Sequence, residues 1–395
     1  MPGPLQSIRV LDLTWALAGP FASMLLADMG AEVLKIEIPG EGDPTRKHGP
    51  YIQGLSSYFL SVNRGKKSIT LNLKDPRGKK IFLQLAEKSD ILLENFRPGV
   101  MDKLGLGYEE IKKVNPKIIY AACSGFGQTG PYAQRGAYDI IIQGMAGTLS
   151  ITGEPGGSPV RVGFSIADLG AGLFTALGIL AALYERSNSG EGQMIDVAML
   201  DTQVALLENA FSRYFATGEV PGPLGTRHPV VTPFQVFPSQ DGYIVLAISK
   251  NDQWERFLKA IGREDLLKDE RFKTNDLRTK HHKILETLLT TLTKTKTTDQ
   301  WIQILEANRI PGGPLNTIDK IAEDLHLKAR GMITELDHPG IGKVRVISHP
   351  VKFSRTPSHI QGSAPEIGQH TEEVLRELLN LSQEDLALLR KEGVI

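Results

Sequence analysis

The chain has 395 residues, 41% hydrophobic and 23% charged, the balance of a globular protein large enough for more than one domain. Lys and Arg total 45 and so do Asp and Glu, which excludes a general attraction to nucleic acid or anionic membrane but leaves room for a local basic pocket. The single cysteine, Cys123, excludes a disulfide framework within the chain, and with it a cysteine-rich metal site; no metal is expected.

The N-terminus has no basic stretch followed by an apolar run, so no signal peptide is expected. No uninterrupted apolar run reaches the length of a membrane span, and the expected compartment is the cytoplasm. Ile8–Thr14 is β-rich. A helix with proline in its first turn follows from Gly19-Pro20 to Met29, capped by Gly30. Glu32–Glu37 and Ser68–Leu73 read as strands, the second from its alternation of Ile69, Leu71 and Leu73. Asp75-Pro76 starts a helix to about Lys88, and Asp90–Glu94 and Ile118–Ala122 are strand-like. This rhythm predicts a parallel sheet covered by helices.

Asp168 to about Arg186 reads as a long helix whose small residues, Gly170, Gly172, Ala176 and Gly178 among them, permit close packing. Gln193–Ala198 is strand-like. Prolines 221, 223, 229 and 233 mark a crossing between domains. Gly242–Ser249 is a strand, charged helices fill roughly 252–325, His338–Val346 returns to β structure, and Thr371–Leu379 is an amphipathic helix. The expected division is a large domain over 1–217, a small domain over 218–330 and a return to the large domain over 331–395.

Gly125-Phe-Gly127-Gln-Thr-Gly130 matches the dinucleotide fingerprint G-x-G-x-x-G. The fingerprint needs the glycines to open a helix that receives a pyrophosphate. Pro131 follows instead, with no amphipathic segment behind it, so a glycine-rich turn is the better reading. There is no H-E-x-x-H, no G-x-S-x-G and no phosphate-binding G-x-x-x-x-G-K-[ST] segment.

A series of segments resembles the family III CoA-transferases of the CaiB/BaiF type. They are Val10–Pro20 and its continuation to Glu37, Gly40–Arg46, Asn63–Leu71, Glu94–Gly99, Gly125–Asp139, Ala167–Leu169 with Gly190–Asp196, Asp269–Phe272 with Arg278, Ile310–Asn316 and Gly368–Leu375. The resemblance covers almost the whole chain in order. It implies an α/β fold: a Rossmann-like large domain with a parallel sheet, a smaller α+β domain, and an interlocked homodimer. It implies coenzyme A and acyl-CoA as substrates, a free carboxylic acid as partner, and no tightly bound cofactor.

The resemblance also makes Asp168 the catalytic nucleophile. Read from the residues alone, an Asp at a helix start is a cap. As a nucleophile it must be ionised, and a helix N-terminus favours the charged form. Gly144 and Gly147 are candidate oxyanion donors. The same resemblance assigns Ala16, Leu71, Asn95, Phe96, Arg97 and Lys103 to coenzyme A; Tyr138 and Arg161, the latter seven residues before Asp168, are candidates for the acid substrate. Arg161 could receive the distal carboxylate of a dicarboxylic acid, with Arg46 and Arg227 as alternatives. This chain has Leu17 and Gly136 where formyl-CoA transferase has Gln and Lys, which separates it from that specificity. Two other functions fit the resemblance: an α-methylacyl-CoA racemase, disfavoured because Tyr138 stands where a racemase has histidine, and a coenzyme A-binding protein without catalysis.

Overall fold

The structure is a computed structural model and describes residues 3–395. The chain forms two compact units. The first comprises the residues up to Thr148, Val162–Ala216 and Leu325–Ile395; the second comprises Leu149–Arg161 and Thr217–Asp324.

The first unit is built on a six-stranded sheet. Its strands are β1 (Arg9–Asp12), β2 (Glu32–Glu37), β3 (Lys66–Thr70), β4 (Ile91–Glu94), β5 (Ile119–Ser124) and β6 (Met194–Ala198). All are parallel and lie in the order β3-β2-β1-β4-β5-β6. The order reverses between β1 and β4, which opens a crevice at the C-terminal ends of the strands. Five helices matter for the site: α1 (Ala18–Asp28), α2 (Ser57–Asn63), α3 (Pro76–Glu87), α4 (Asp139–Ala146) and α5 (Ile166–Ser189).

Each sheet face has its own apolar layer. Phe82 and Leu85 of α3 pack with Leu11, Leu34 and Leu92 on one face, joined by Val374, Leu375 and Val394. Ala22 and Leu26 of α1 and Ile179 and Ala182 of α5 pack with Val10, Val33 and Leu93 on the other. Strands buried on both faces read as continuous apolar runs, as in Ile91-Leu92-Leu93. Asp75 caps α3 by accepting from Arg77 N at 2.8 Å, and Pro76 occupies the first helical position. The small residues of α5 admit α1: a Cβ at Gly172 would lie 2.6 Å from Ala18 O.

Beneath the crevice lies a buried charged layer. Asp12 accepts from Thr14 N (2.8 Å), Thr14 Oγ1 (2.5 Å) and Ser23 Oγ (2.6 Å) and pairs with Lys66 (3.2 Å). Lys35, fully buried, pairs with Asp43 (2.9 Å) and donates to Thr14 O (2.7 Å). Glu37 pairs with Arg46 (2.7 Å) and accepts from Ser68 Oγ (2.6 Å).

The second unit carries an antiparallel sheet of three strands, Gly312–Pro314, Tyr243–Ala247 and Phe234–Pro238. Its core gathers Trp254, Phe257, Leu285 and Trp301. Arg278 is the buried cation there, donating to Thr232 O (2.8 Å), Phe272 O (3.1 Å) and Asn251 Oδ1 (3.2 Å). Its role in this structure is to tie loops together. The glycines at 125–130 follow β5 without opening a helix; the next helix begins at Asp139.

α5 is 24 residues long and apolar enough to cross a membrane by length and composition. Its hydrophobicity is spread among small residues and broken by Asp168, so no pure apolar run announces it. One face, through Ala171, Thr175, Ile179 and Ala182, is buried in the protein.

Candidate active site

A cavity of about 1260 Å³ runs along the C-terminal ends of the strands, within the first unit. That exceeds the volume a drug-sized ligand needs. The loop after β1 contributes Trp15, Ala16 and Leu17; the segment after β2 contributes Ile38, Thr45 and His48; the segment after β3 contributes Leu71 to Lys74. The segment after β4 supplies Asn95, Phe96, Arg97 and Lys103, and the long connection after β5 supplies Arg135, Tyr138 and Asp139. Asp168 of α5 and Tyr58 of α2 complete the lining relevant to chemistry.

The loop after β1 is fixed from both sides. Asp12 and Lys35 hold Thr14, as above. The Asn95 side chain clasps Trp15, accepting from its N at 2.8 Å and donating to its O at 2.7 Å. Between these restraints Ala16 takes φ +63°, a left-handed conformation that a non-glycine residue adopts only when its surroundings enforce it. Trp15 meets Phe96 edge-to-face, with centroids 5.3 Å apart. Asn95 thus spends both ends of its amide on the protein, and its influence on a ligand passes through the Trp15–Ala16 loop.

Four cations border the cavity: Lys74, Arg97, Lys103 and Arg135. All four are exposed and suited to phosphate. Arg97 owes its position to Gly136, where a Cβ would lie 2.6 Å from Nη2. Lys74 and Arg135 were not singled out from the sequence, although Arg135 lies within the Gly125–Asp139 segment.

Asp168 sits in the first turn of α5, three residues past the N-cap Ser165, so it is not the capping residue. Among the described residues its carboxylate accepts no hydrogen bond. Burial, reinforced by the charge of Asp139, pushes its pKa up to about 7. Desolvation and a like charge thus oppose the favourable helix terminus and leave Asp168 poised between its two forms near neutral pH. Tyr58 and Cys123, also in the cavity wall, stay protonated, their pKa values raised chiefly by burial and for Cys123 to about 12.

Ala16, Leu71, Asn95, Phe96, Arg97, Lys103, Tyr138 and Asp168 thus meet in one cavity. Arg161 and Arg227 belong to the second unit. Arg46 is held by Glu37, which lines the cavity, and lies 3.6 Å over the Phe59 ring without lining the cavity itself. Gly144 and Gly147 line no part of the cavity; Gly147 ends α4 with φ +91°.

A cavity bordered by four exposed cations, with the half-buried carboxylate of Asp168 free of hydrogen-bond donors among the described residues, suits a phosphorylated thioester. The family model for CoA-transferase family III matches residues 5–371. The chain belongs to this family. It is a CoA-transferase, moving coenzyme A from an acyl-CoA donor to a carboxylic acid acceptor. It is 40% identical over 393 residues to succinyl-CoA:glutarate CoA-transferase of Mus musculus, covering 99% of this chain and 90% of that protein. It is 42% identical over 369 residues to acetyl-CoA:oxalate CoA-transferase of Acetobacter aceti, covering 93% of this chain and 94% of that protein. The crystal structure of a CaiB/BaiF family protein from Brucella suis superposes with a TM-score of 0.85 at 36% identity, covering 96% of this chain and all of that one.

Proposed function

We propose that this CoA-transferase works through a covalent aspartyl-CoA thioester on Asp168. The observation that carries the reading is a carboxylate without hydrogen-bond partners in the wall of a cavity that also gathers Lys74, Arg97, Lys103 and Arg135. A carboxylate oxygen of ionised Asp168 attacks the thioester carbon of the donor; the C–S bond breaks, coenzyme A leaves as thiolate, and a mixed anhydride forms. The thiolate then attacks the Asp168 carbonyl, releasing the donor acid and leaving the enzyme thioester. An acceptor carboxylate runs the same two steps in reverse. One thioester is lost and one made, so no other energy source is required.

Coenzyme A is held by Leu71, Phe96, Arg97 and Lys103, with Ala16 and its clasp Asn95 shaping the β1 loop. Tyr138 borders the acid substrate. Relatives named for glutarate and oxalate support a dicarboxylic acceptor, with Arg161 receiving its distal carboxylate. The first unit, in place of the expected 1–217 with 331–395, is the Rossmann-like large domain that binds coenzyme A, and the second unit is the smaller domain. Leu173, Phe174, Leu177 and Tyr184 leave an apolar face of α5 exposed, which fits burial in an interlocked homodimer better than in lipid. The enzyme is placed in the cytoplasm, without a tightly bound cofactor.

The test is Asp168→Ala and Asp168→Asn, assayed for succinyl-CoA-dependent thioester exchange and for hydroxylamine trapping after addition of succinyl-CoA. Both variants lose at least about a thousandfold in turnover and form no hydroxamate at residue 168. Retained turnover removes the covalent route. Arg161→Met raises KM for succinate far more than for a monocarboxylate; equal effects exclude the arginine from the acid site.

A further inference from the structure

The start of α5 lacks a capping side chain of its own, since Ser165 makes no cap hydrogen bond. The missing acceptor comes from another helix. Asp139, the first residue of α4, accepts from Ala167 N through Oδ1 at 2.9 Å. Ala167 is the second residue of α5, the position whose N–H a capping side chain ordinarily takes. Oδ2 of Asp139 accepts from Gln143 Nε2 at 2.7 Å, one helical turn along α4. Gln143 Oε1 in turn accepts from Val162 N at 3.0 Å. Both ends of the 162–167 approach to Asp168 are thus fastened to one face of α4. Asp139 is 8% exposed and Gln143 fully buried, so neither bond competes freely with water.

We infer that Asp139 is a positioning residue for the transfer reaction: from α4 it caps the helix that carries Asp168, with Gln143 bracing the approach, and it sets a negative charge against the nucleophile. The inference rests on the reading of Asp168 as nucleophile. Its chemical consequence lies in the difference between free and acylated enzyme. The free carboxylate of Asp168 is repelled by Asp139 and poorly solvated, whereas in the anhydride and the thioester residue 168 carries no charge. The repulsion is therefore relieved on attack, and a more basic carboxylate is also the better nucleophile.

The other titratable groups facing Asp168 are Tyr58 from α2 and Cys123 from β5, both neutral at working pH. The remaining carboxyl raised to about 7 is Glu94, through burial and then the charges of Asp102 and Asp196, so changing Asp139 leaves it where it is.

The experiment compares Asp139→Asn, Asp139→Ala and Gln143→Ala in the full-length enzyme, with kcat and KM for succinyl-CoA measured across pH and melting followed in parallel. Asp139→Asn keeps an acceptor for Ala167 N but removes the charge. Its acid limb of kcat moves to lower pH, and its plateau falls several-fold. Asp139→Ala loses cap and charge together, and kcat falls about a hundredfold while KM for succinyl-CoA changes little, the scale on which a misplaced reacting group is felt. Gln143→Ala falls about tenfold with its acid limb unmoved. An unmoved limb in a well-folded Asp139→Asn enzyme overturns the inference, as does an Asp139→Ala enzyme whose folded fraction turns over at the wild-type rate. Turnover by Asp168→Ala would instead sink the reading beneath it.

Discussion

Asp12, at the end of β1, and Asp168, in the first turn of α5, are two carboxylates of one sheet region with opposite surroundings. Asp12 is fully buried, yet three donors and Lys66 surround it, with Lys35 nearby; burial pushes its pKa up and these partners pull it below the usual range. Asp168 is less deeply covered but has no donor and a second carboxylate beside it, and it rises to about 7. Depth of burial alone therefore does not decide whether a carboxylate holds the fold or does chemistry. The sign of the neighbouring charge and the supply of hydrogen bonds do.

The comparison breaks most directly at Asp12. Asp12→Asn leaves Lys66 buried without its partner and should destabilise the fold by about 3–5 kcal/mol at pH 7, measured by urea unfolding. Lys66 is itself lowered to about 8, chiefly by burial. Without Asp12 that value falls further, so as pH rises toward 8 the variant sheds the Lys66 proton before the wild type does and the cost of Asp12→Asn shrinks, levelling off above about 8; a cost independent of pH on the approach to 8 would show that the pair is not what Asp12 supplies.

Asp168→Asn should do the reverse. A carboxyl whose folded pKa lies above its unfolded value holds extra protons in the fold between about 4 and 7, so ionising it costs stability as pH rises through that window and the full cost persists above it. The variant should melt a few degrees above the wild type at pH 8 and no higher than it at pH 4. A variant less stable at pH 8 would mean that Asp168 has partners in solution that this structure lacks.

Two smaller effects sharpen the contrast between holding coenzyme A and holding the fold. Gly136→Ala displaces the Arg97 guanidinium and should raise KM for succinyl-CoA about tenfold, the loss of one charge-assisted bond, with melting unchanged. Asp75→Ala removes a helix cap remote from chemistry and should lower stability by about 1 kcal/mol with KM and kcat untouched.

What could be read in advance follows from the range of the interactions. Asp75-Pro76, the alternation around Ile69 and the apolar run at Ile91 are local signals, and each produced the expected element within a few residues. Asp168 came from resemblance; nothing in its own neighbourhood separates a nucleophile from a cap. Asp139 was passed over because the N–H it caps, that of Ala167, lies far along the chain. Lys74, Arg135, His48 and Tyr58 were missed for the same reason: only the fold brings their loops to one edge. Residues 149–161 are rich in Gly and Pro, a signal the division at 217 did not use, and they join the second unit.

The region near the C-terminus returns to the sheet edge beside the cavity. Val394 O accepts from Asn72 N at 2.8 Å, Val394 is buried against the sheet, and Gly393 lines the crevice. A change at Val394 or Gly393 is therefore transmitted to Asn72 and to the crevice wall it shares.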